Sequence, residues 1–538
     1  MIYDYIVVGS GSAGAVVAAR LSEDPAVNVL LLEAGPENRS YWSKIPLGFA
    51  KIMIDPALMW MRNSEPEPSL KGRQVSLLHG KIVGGSSAVN GMVYVRGFPL
   101  DYAQWAQLGA TGWSYEEVLP YFKKAERYRL GGSAGHDEKY HGANGPVGVE
   151  SAGWRSPLAD AFIASAQALG LARRDDLAGA EIEGVGYHDL TTWRGQRSST
   201  WQAYLQPLRG RANLRIIADA LVQKVTFEGR HATGVVYERG GEIRSVRAGV
   251  EIILSAGALQ TPQLLQLSGI GPGDLLQQHG IPVVHELRGV GANLMDHLQV
   301  GRAYSTSSPF TINTMMSSPL SILKAGASYY LKRQGPLTVG AAVAGGFAST
   351  QAGLDAPDVQ IAFSPFLPDP GGLAKLAEGS GFLLSTYQLR PESRGSVRIN
   401  SADPREPASV ALNTLSAAND RGTLIAGLKL LRRIAQATPF QQVGVTEVTP
   451  RLAGVEDDDA NLIDHIAAAG ASAFHYSGTA RMGADALAVV DPALRVHGVG
   501  GLRVIDTSVM PTVTSGNTNA AAIMIGEKGA HLVKTTRR

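Results

Sequence analysis

Gly9, Gly11 and Gly14 follow one another as G-x-G-x-x-G, and Glu33 stands 19 residues beyond the last of them. Residues of these types at this spacing can hold a dinucleotide. Glycine at 9 permits a tight turn, at 11 lets backbone approach a pyrophosphate, and at 14 lets a helix pack closely on a strand. The pyrophosphate would rest on the helix N-terminus, where free N–H groups and the dipole favour an anion. Glu33 is placed for a ribose hydroxyl, and its charge disfavours the 2′-phosphate of NADP. The motif alone leaves FAD and NAD equal. The chain has no cysteine, which excludes a thiol nucleophile, a thiolate-bound metal and a disulfide framework. Proton transfer near neutral pH would fall to an imidazole, and 12 histidines are present. His136, His141 and His188 sit in polar loops without metal-like spacing, and His279, His285, His465 and His531 read as surface positions around helices. No metal site is expected.

The elements that must position these groups read clearly at the start. "YIVVG" is a strand entering the glycine turn, "AGAVVAARL" a small-residue helix, and a second apolar run ends on Glu33. Residues 36 to 75, with five prolines, read as extended connections, and 115 to 128 as a helix. Residues 213 to 257 alternate as a β-meander followed by a buried strand, "EIILSAG". Residues 303 to 318 suggest loop, 357 to 412 an antiparallel sheet, and 419 to 436 a helix. The last 40 residues read strand, loop, helix. With no repeat or low-complexity linker, the domains are expected to interleave.

Composition narrows the class. At 538 residues and 44% apolar content the chain can bury a sizeable core. Its 63 glycines suggest many tight turns or close backbone approaches. A formal charge of +2 gives no footprint for nucleic acid. No apolar run reaches the 18 residues of a transmembrane helix. The N-terminus opens on a strand without a leader-like pattern. The expectation is a cytoplasmic protein, soluble or peripherally attached to a membrane. The apolar stretch 319 to 337 reads equally as a core helix or as a membrane-facing approach.

Several further segments carry a resemblance. "GKIVGGSSAVNGMVY" (80 to 94), "GALQTPQLLQLSGIG" (257 to 271), "GVGANLMDH" (289 to 297), "FHYSGTARMG" and "VIDTSVMPTVTSGNTNAAAIMIGEK" stand in order along the chain with the opening motif. Together they resemble the signature segments of the glucose–methanol–choline (GMC) oxidoreductases, from residue 3 to about 534. The resemblance implies an α/β fold, α+β overall. A Rossmann-like FAD-binding domain would span 1–155, 200–300 and 480–538. It would interleave with a substrate-binding domain, 156–199 and 301–479, built on an antiparallel sheet. It also implies FAD-dependent oxidation of an alcohol, with hydride transfer to flavin N5, a small-molecule alcohol as substrate, and oxygen or a quinone as electron acceptor.

The same resemblance assigns residues. His475 matches the family's catalytic histidine, and Asn517 the His-or-Asn position before the last helix. Asn517 cannot titrate, so His475 would be the sole base and Asn517 would hold the alcohol oxygen. Asn517 also suits a helix cap. His297 reads as a structural hydrogen-bonding residue. Gly84, Gly85 and Asn90 would meet the cofactor, Val222 its adenine, and Asp506 its phosphates and ribitol. Ser10, Ser12, Ala13, Ala34, Ser86, Gly91, Met92, Val93 and Thr518 complete the expected cofactor contacts. Val89 stands where some relatives bind FAD covalently through histidine, so the FAD would be non-covalent. Val343 replaces a glutamate taken to meet the cation in choline-oxidising members, which disfavours choline. Val343, Phe363, Phe366 and Phe474 suggest an apolar pocket for an aromatic or aliphatic primary alcohol. The strand period admits only one of Phe363 and Phe366. Alternatives are a hydroxynitrile lyase-type enzyme without net redox, and a choline- or polyol-type dehydrogenase.

Overall fold

In a computed structural model, residues 2–129, 137–369 and 372–536 are described; His136 lies outside them. β1 (Ile2–Val8), α1 (Gly14–Leu21) and β2 (Val29–Leu32) form the first β-α-β unit. All four residues of β2, Val-Leu-Leu-Leu, are buried, as befits a central strand covered on both faces. β3 (Leu214–Ile217), β4 (Leu221–Glu228), β5 (His231–Arg239) and β6 (Glu242–Leu254) complete most of one sheet, in the order β3-β2-β1-β6-β5-β4. β1, β2 and β3 run parallel, and β6 pairs parallel with β1. β4, β5 and β6 form the antiparallel meander. The buried strand "EIILSAG" is not separate from that meander: β6 is one 13-residue strand whose second half enters the core.

The chain then builds a second sheet. β7 (Leu298–Ser305) is followed by α2 (Pro319–Lys332), β8 (Ala344–Ala348), β9 (Val359–Ser364) and β10 (Gly381–Gln388). Next come α3 (Ala418–Gln436) and two short strands, β11 (Thr446–Glu447) and β12 (Ala471–Ser472). The order is β8-β9-β10-β7-β11, all antiparallel, with β12 also on β7. Successive side chains on a strand point to opposite faces. Val300, Ile361, Phe363 and Leu384 pack into an apolar core with α3 residues such as Leu424, Leu428 and Leu431. Two sequence expectations change here. Residues 36 to 75 contain a helical turn at Phe49–Ile52 and a strand at Met59–Asn63, and 303 to 318 a turn of helix at Ile312–Met315.

The end of the chain returns to the first sheet. β13 (Leu502–Val504) pairs parallel with β6, and α4 (Asn519–Thr536) packs on α1. A Cβ on Gly526 would stand 2.8 Å from the Ala13 carbonyl oxygen, so glycine lets α4 cross the start of α1. Fully buried Glu527 then accepts from the Arg20 guanidinium (2.7 to 3.0 Å) and from the Tyr204 hydroxyl (2.8 Å). This pairing of a buried carboxylate locks the last helix to the first. No described helix is long and apolar enough to cross a membrane.

Candidate active site

One cavity of about 690 Å³ lies between the two sheets and touches both ends of the sequence motifs. At one end it is bounded by Glu33, Ala34 and Val222, in the middle by Gly9, Gly11, Ser12 and Ala13, and at the other by His475 and Asn517. The glycine cradle is set by backbone contact. Gly9 has φ +96°, and a Cβ there would sit 2.4 Å from the Ser255 oxygen. A Cβ on Gly14 would sit 2.0 Å from the Gly9 oxygen, and one on Gly85 2.6 Å from the Gly11 Cα. At Gly11 the nearest atom is 3.9 Å away, so this glycine faces open space. Gly84 lies behind the wall, its N–H donating to the Ser10 oxygens.

Glu33 accepts from the Ser10 N–H (2.9 Å), the Ser10 hydroxyl (2.6 Å) and the Gly35 N–H (2.9 Å). It therefore holds the turn itself, with the Ala34 N–H also acting on the carboxylate. Ser10 serves Glu33 and is fully buried. Asp506 lies in the wall, but both its oxygens are engaged by Gly257, Thr261 and Ser508. Ser86, Gly91, Met92, Val93 and Thr518 all border the cavity. The Asn90 Oδ1 accepts from Arg197 (2.7 Å) and from the Met92 N–H (3.2 Å), which leaves its amide NH₂ available. α1 has no side-chain cap; the Ala15 N–H turns back to the Gly11 carbonyl (3.1 Å), and no side chain covers the Ala13 and Gly14 N–H groups that can meet an anion. An uncapped helix end, an open glycine and the available Asn90 amide fit a flavin dinucleotide.

The catalytic end is a chain of hydrogen bonds. Tyr387 donates to Gln360 Oε1 (2.5 Å), Gln360 Nε2 to Asn517 Oδ1 (3.3 Å), and Asn517 Nδ2 to His475 Nε2 (3.2 Å). His475 Nδ1 lies 2.8 Å from His297 Nδ1, and His297 Nε2 lies 2.9 Å from the Leu389 carbonyl. That carbonyl can only accept, so His297 Nε2 carries a proton. Burial lowers His297 to about 4 and His475 well below the ordinary imidazole value, with His297 adding to the effect on His475. Both rings are therefore neutral with one proton each. His297 Nδ1 is bare and accepts from His475 Nδ1–H, which leaves His475 Nε2 bare beside the Asn517 amide.

The backbone reinforces this. Asp296 accepts from the His475 N–H (2.8 Å), the His297 N–H (2.9 Å) and the Ser472 hydroxyl, and burial pushes its carboxyl up to about 7. Phe474, just before the histidine, is held at φ +63°, an uncommon conformation for a non-glycine residue. His297 thus makes a structural hydrogen bond, and makes it to His475 itself.

The second sheet supplies the wall facing this pair. Gln299 of β7, Gln360, Ala362 and Ser364 of β9, and Leu383, Ser385 and Tyr387 of β10 all point into the cavity. Gln299 Nε2 donates to the Ser385 hydroxyl at 2.7 Å. Phe366 and Phe474 line the cavity as expected. Val343 and Phe363 are not among its lining residues. Both are fully buried on the core side, Phe363 with Phe162, Phe382 and Phe440. The strand phase decides it, turning Ala362 and Ser364 inward and Phe363 out. The roof is consequently more polar than the sequence suggested. The sequence also missed Gln299, Gln360, Ser385 and Tyr387; the cue was that Gln360 and Ser364 in "VQIAFS", and Ser385 and Tyr387 in "LLSTYQ", share one strand phase. His141, His188 and His465 are buried rather than in surface loops or on helix surfaces, and His465 Nε2 donates to the Gly301 carbonyl.

Comparison with known proteins agrees with this architecture. Residues 3–299 and 391–526 match the N- and C-terminal models of the GMC oxidoreductases. The chain is a GMC oxidoreductase. It is 38% identical over 536 residues to an alcohol dehydrogenase [acceptor] of Pseudomonas putida, covering 99% of this chain and 96% of that protein. It is likewise 38% identical over 537 residues to an oxygen-dependent choline dehydrogenase of Photobacterium profundum, covering 99% and 93%. The crystal structure of pyridoxine 4-oxidase from Mesorbium loti superposes with a TM-score of 0.88 at 30% identity over 99% of both chains. This GMC oxidoreductase uses FAD and acts on CH–OH donors. Among the described residues no metal-binding cluster of histidine and carboxylate occurs.

Proposed function

We propose that this GMC oxidoreductase oxidises a neutral primary alcohol to the aldehyde. The observation that carries the reading is the bare, buried Nε2 of His475 beside the Asn517 amide in a cavity that also reaches the glycine cradle. His475 Nε2 takes the hydroxyl proton, and His297 steadies the resulting imidazolium through Nδ1. Asn517 Nδ2 turns from His475 to the alcohol oxygen and holds it. FAD, when bound, supplies the acceptor for the hydride that leaves the carbinol carbon. Preorganised donors of this kind act strongly in a site closed to water. Gly9, Gly11, Ser12, Ala13, Asn90 and Thr518 would hold the cofactor, and Val89 offers no side chain for a covalent link. The division into a cofactor domain (1–155, 200–300, 480–538) and a substrate domain (156–199, 301–479) belongs to the same proposal.

The roof argues for a neutral substrate. Its groups are amides, hydroxyls and aromatic rings, and the carboxylates bordering the cavity, Glu33 and Asp506, belong to the cradle. A quaternary cation would leave water without a carboxylate partner and rely on aromatic faces alone, worth roughly 0.5–2 kcal/mol. Anaerobic spectra of the purified protein test this with benzylic, furanic and long-chain alcohols, a glycol and choline. Bleaching of the flavin band by neutral primary alcohols, with choline at least about tenfold slower, is the expected result. Faster bleaching by choline would overturn the substrate reading, and no bleaching by any alcohol the reaction. Acid precipitation should release all the FAD.

A further inference from the structure

A helix packed on a domain ordinarily turns its apolar stripe inward. α2 does the opposite. Its buried contacts come from Ala325 and Tyr329, while Leu320, Leu323 and Leu331 are 61%, 69% and 83% exposed. With Ala327 these leucines recur at helical spacing and form one outward stripe. The stripe continues beyond the helix. The Tyr330 hydroxyl meets that of Tyr41, their rings stacked with centroids 6.5 Å apart, and exposed Trp42 follows. Trp42, Ile54 and Leu376 are both exposed to solvent and part of the cavity wall. The apolar surface therefore reaches the mouth of the catalytic cavity at Trp42, Ile54 and Leu376. The residues that form it belong to segments 41–57, 319–334 and 375–378. Those segments carry Lys44, Lys51, Lys324, Lys332, Arg333 and Lys375 against two carboxylates, Asp55 and Glu378.

An exposed apolar patch of this extent marks an interaction surface. Outward leucines and tryptophan edged by lysines are the composition that lies in the boundary of an anionic bilayer. We propose that this surface docks the enzyme on anionic lipid bilayers with the cavity mouth against the membrane. Docked in this way, the cavity exchanges lipid-soluble reactants with the bilayer directly. The proposal is independent of which alcohol is oxidised.

The test is flotation of the FAD-loaded full-length protein with vesicles of phosphatidylcholine alone or mixed with phosphatidylglycerol. The comparison variants are Leu323→Asn/Leu331→Asn and Lys324→Gln/Lys332→Gln, none of which touches the cavity. Wild type should float with the anionic vesicles, and less so at high salt. The leucine pair should lose at least about tenfold in binding, and the lysine pair a smaller factor. Flavin content and turnover of a soluble alcohol with a soluble dye should not change. Wild type remaining unbound to both vesicle types, or a leucine variant binding like wild type, overturns the proposal. A wild-type dimer that the leucine pair converts to monomer, without vesicle binding, overturns it in favour of a second copy of the chain.

Discussion

The cradle and the roof close the same cavity from opposite sides and are built from different material. The cradle is backbone: Gly9, Gly14 and Gly85 lie where an added Cβ would meet main-chain atoms at 2.0 to 2.6 Å. The roof is side chains: Gln299, Gln360, Ser385 and Tyr387 stand at alternate positions on three strands whose backbone is indifferent to them. A backbone cradle fixes one ligand and tolerates almost no change. A side-chain roof can be re-lined without disturbing the fold, so it is where relatives of one family can differ in substrate. His475 and Asn517 belong to neither, since they enter at the seam, from the ends of the chain's later segments.

Substitutions can break or sharpen this contrast. The largest effect should come at the seam. His475→Ala should slow flavin reduction by about 10³-fold or more while FAD content stays at the wild-type level. Next is the cradle. Gly14→Ala drives a Cβ into the Gly9 carbonyl, so the protein should purify with little flavin or with a lowered melting temperature, at a cost of about 1–3 kcal/mol or more. His297→Phe removes the acceptor at Nδ1 and frees the His475 ring to take the other tautomer. A fall in kcat of roughly 10- to 100-fold with FAD retained is expected, read by stopped-flow reduction. The smallest effects separate the two faces of one strand. Gln360→Leu should change KM and kcat with little change in stability. Phe363→Leu should lower the unfolding free energy, read from urea titration, by about 1 kcal/mol with KM unchanged. Equal kinetic effects from both would mean that the strand phase does not define the roof.

The contrast also explains what could be read in the sequence. The cradle was legible because glycines, an acid and flanking apolar runs are contiguous, so local spacing carries the geometry. The C-terminal strand and helix were legible as elements from "LRVIDTSV" and the small-residue run after Asn517. The roof was not, because Gln299, Gln360 and Tyr387 are brought together only by β-pairing across up to 88 residues (Gln299 with Tyr387), and strand phase rather than residue type chooses which of them face inward. Val343 and Phe363 illustrate the cost: both are of the right type for an apolar pocket, and both face the core. The His297–His475 contact spans 178 residues and has no local signature beyond the "MDH" turn.

The central claim is that a histidine held neutral by burial, with Nε2 bare, takes the alcohol proton. The pH dependence of anaerobic flavin reduction by saturating benzyl alcohol tests it most directly. Because burial lowers the His475 pKa, the base is already deprotonated at neutral pH. The reduction rate should then be level from neutral pH upward and fall only in acid, below the ordinary imidazole value of about 6.5. A rate that climbs steadily through pH 7 to 9 would contradict the claim and point to a base of higher pKa.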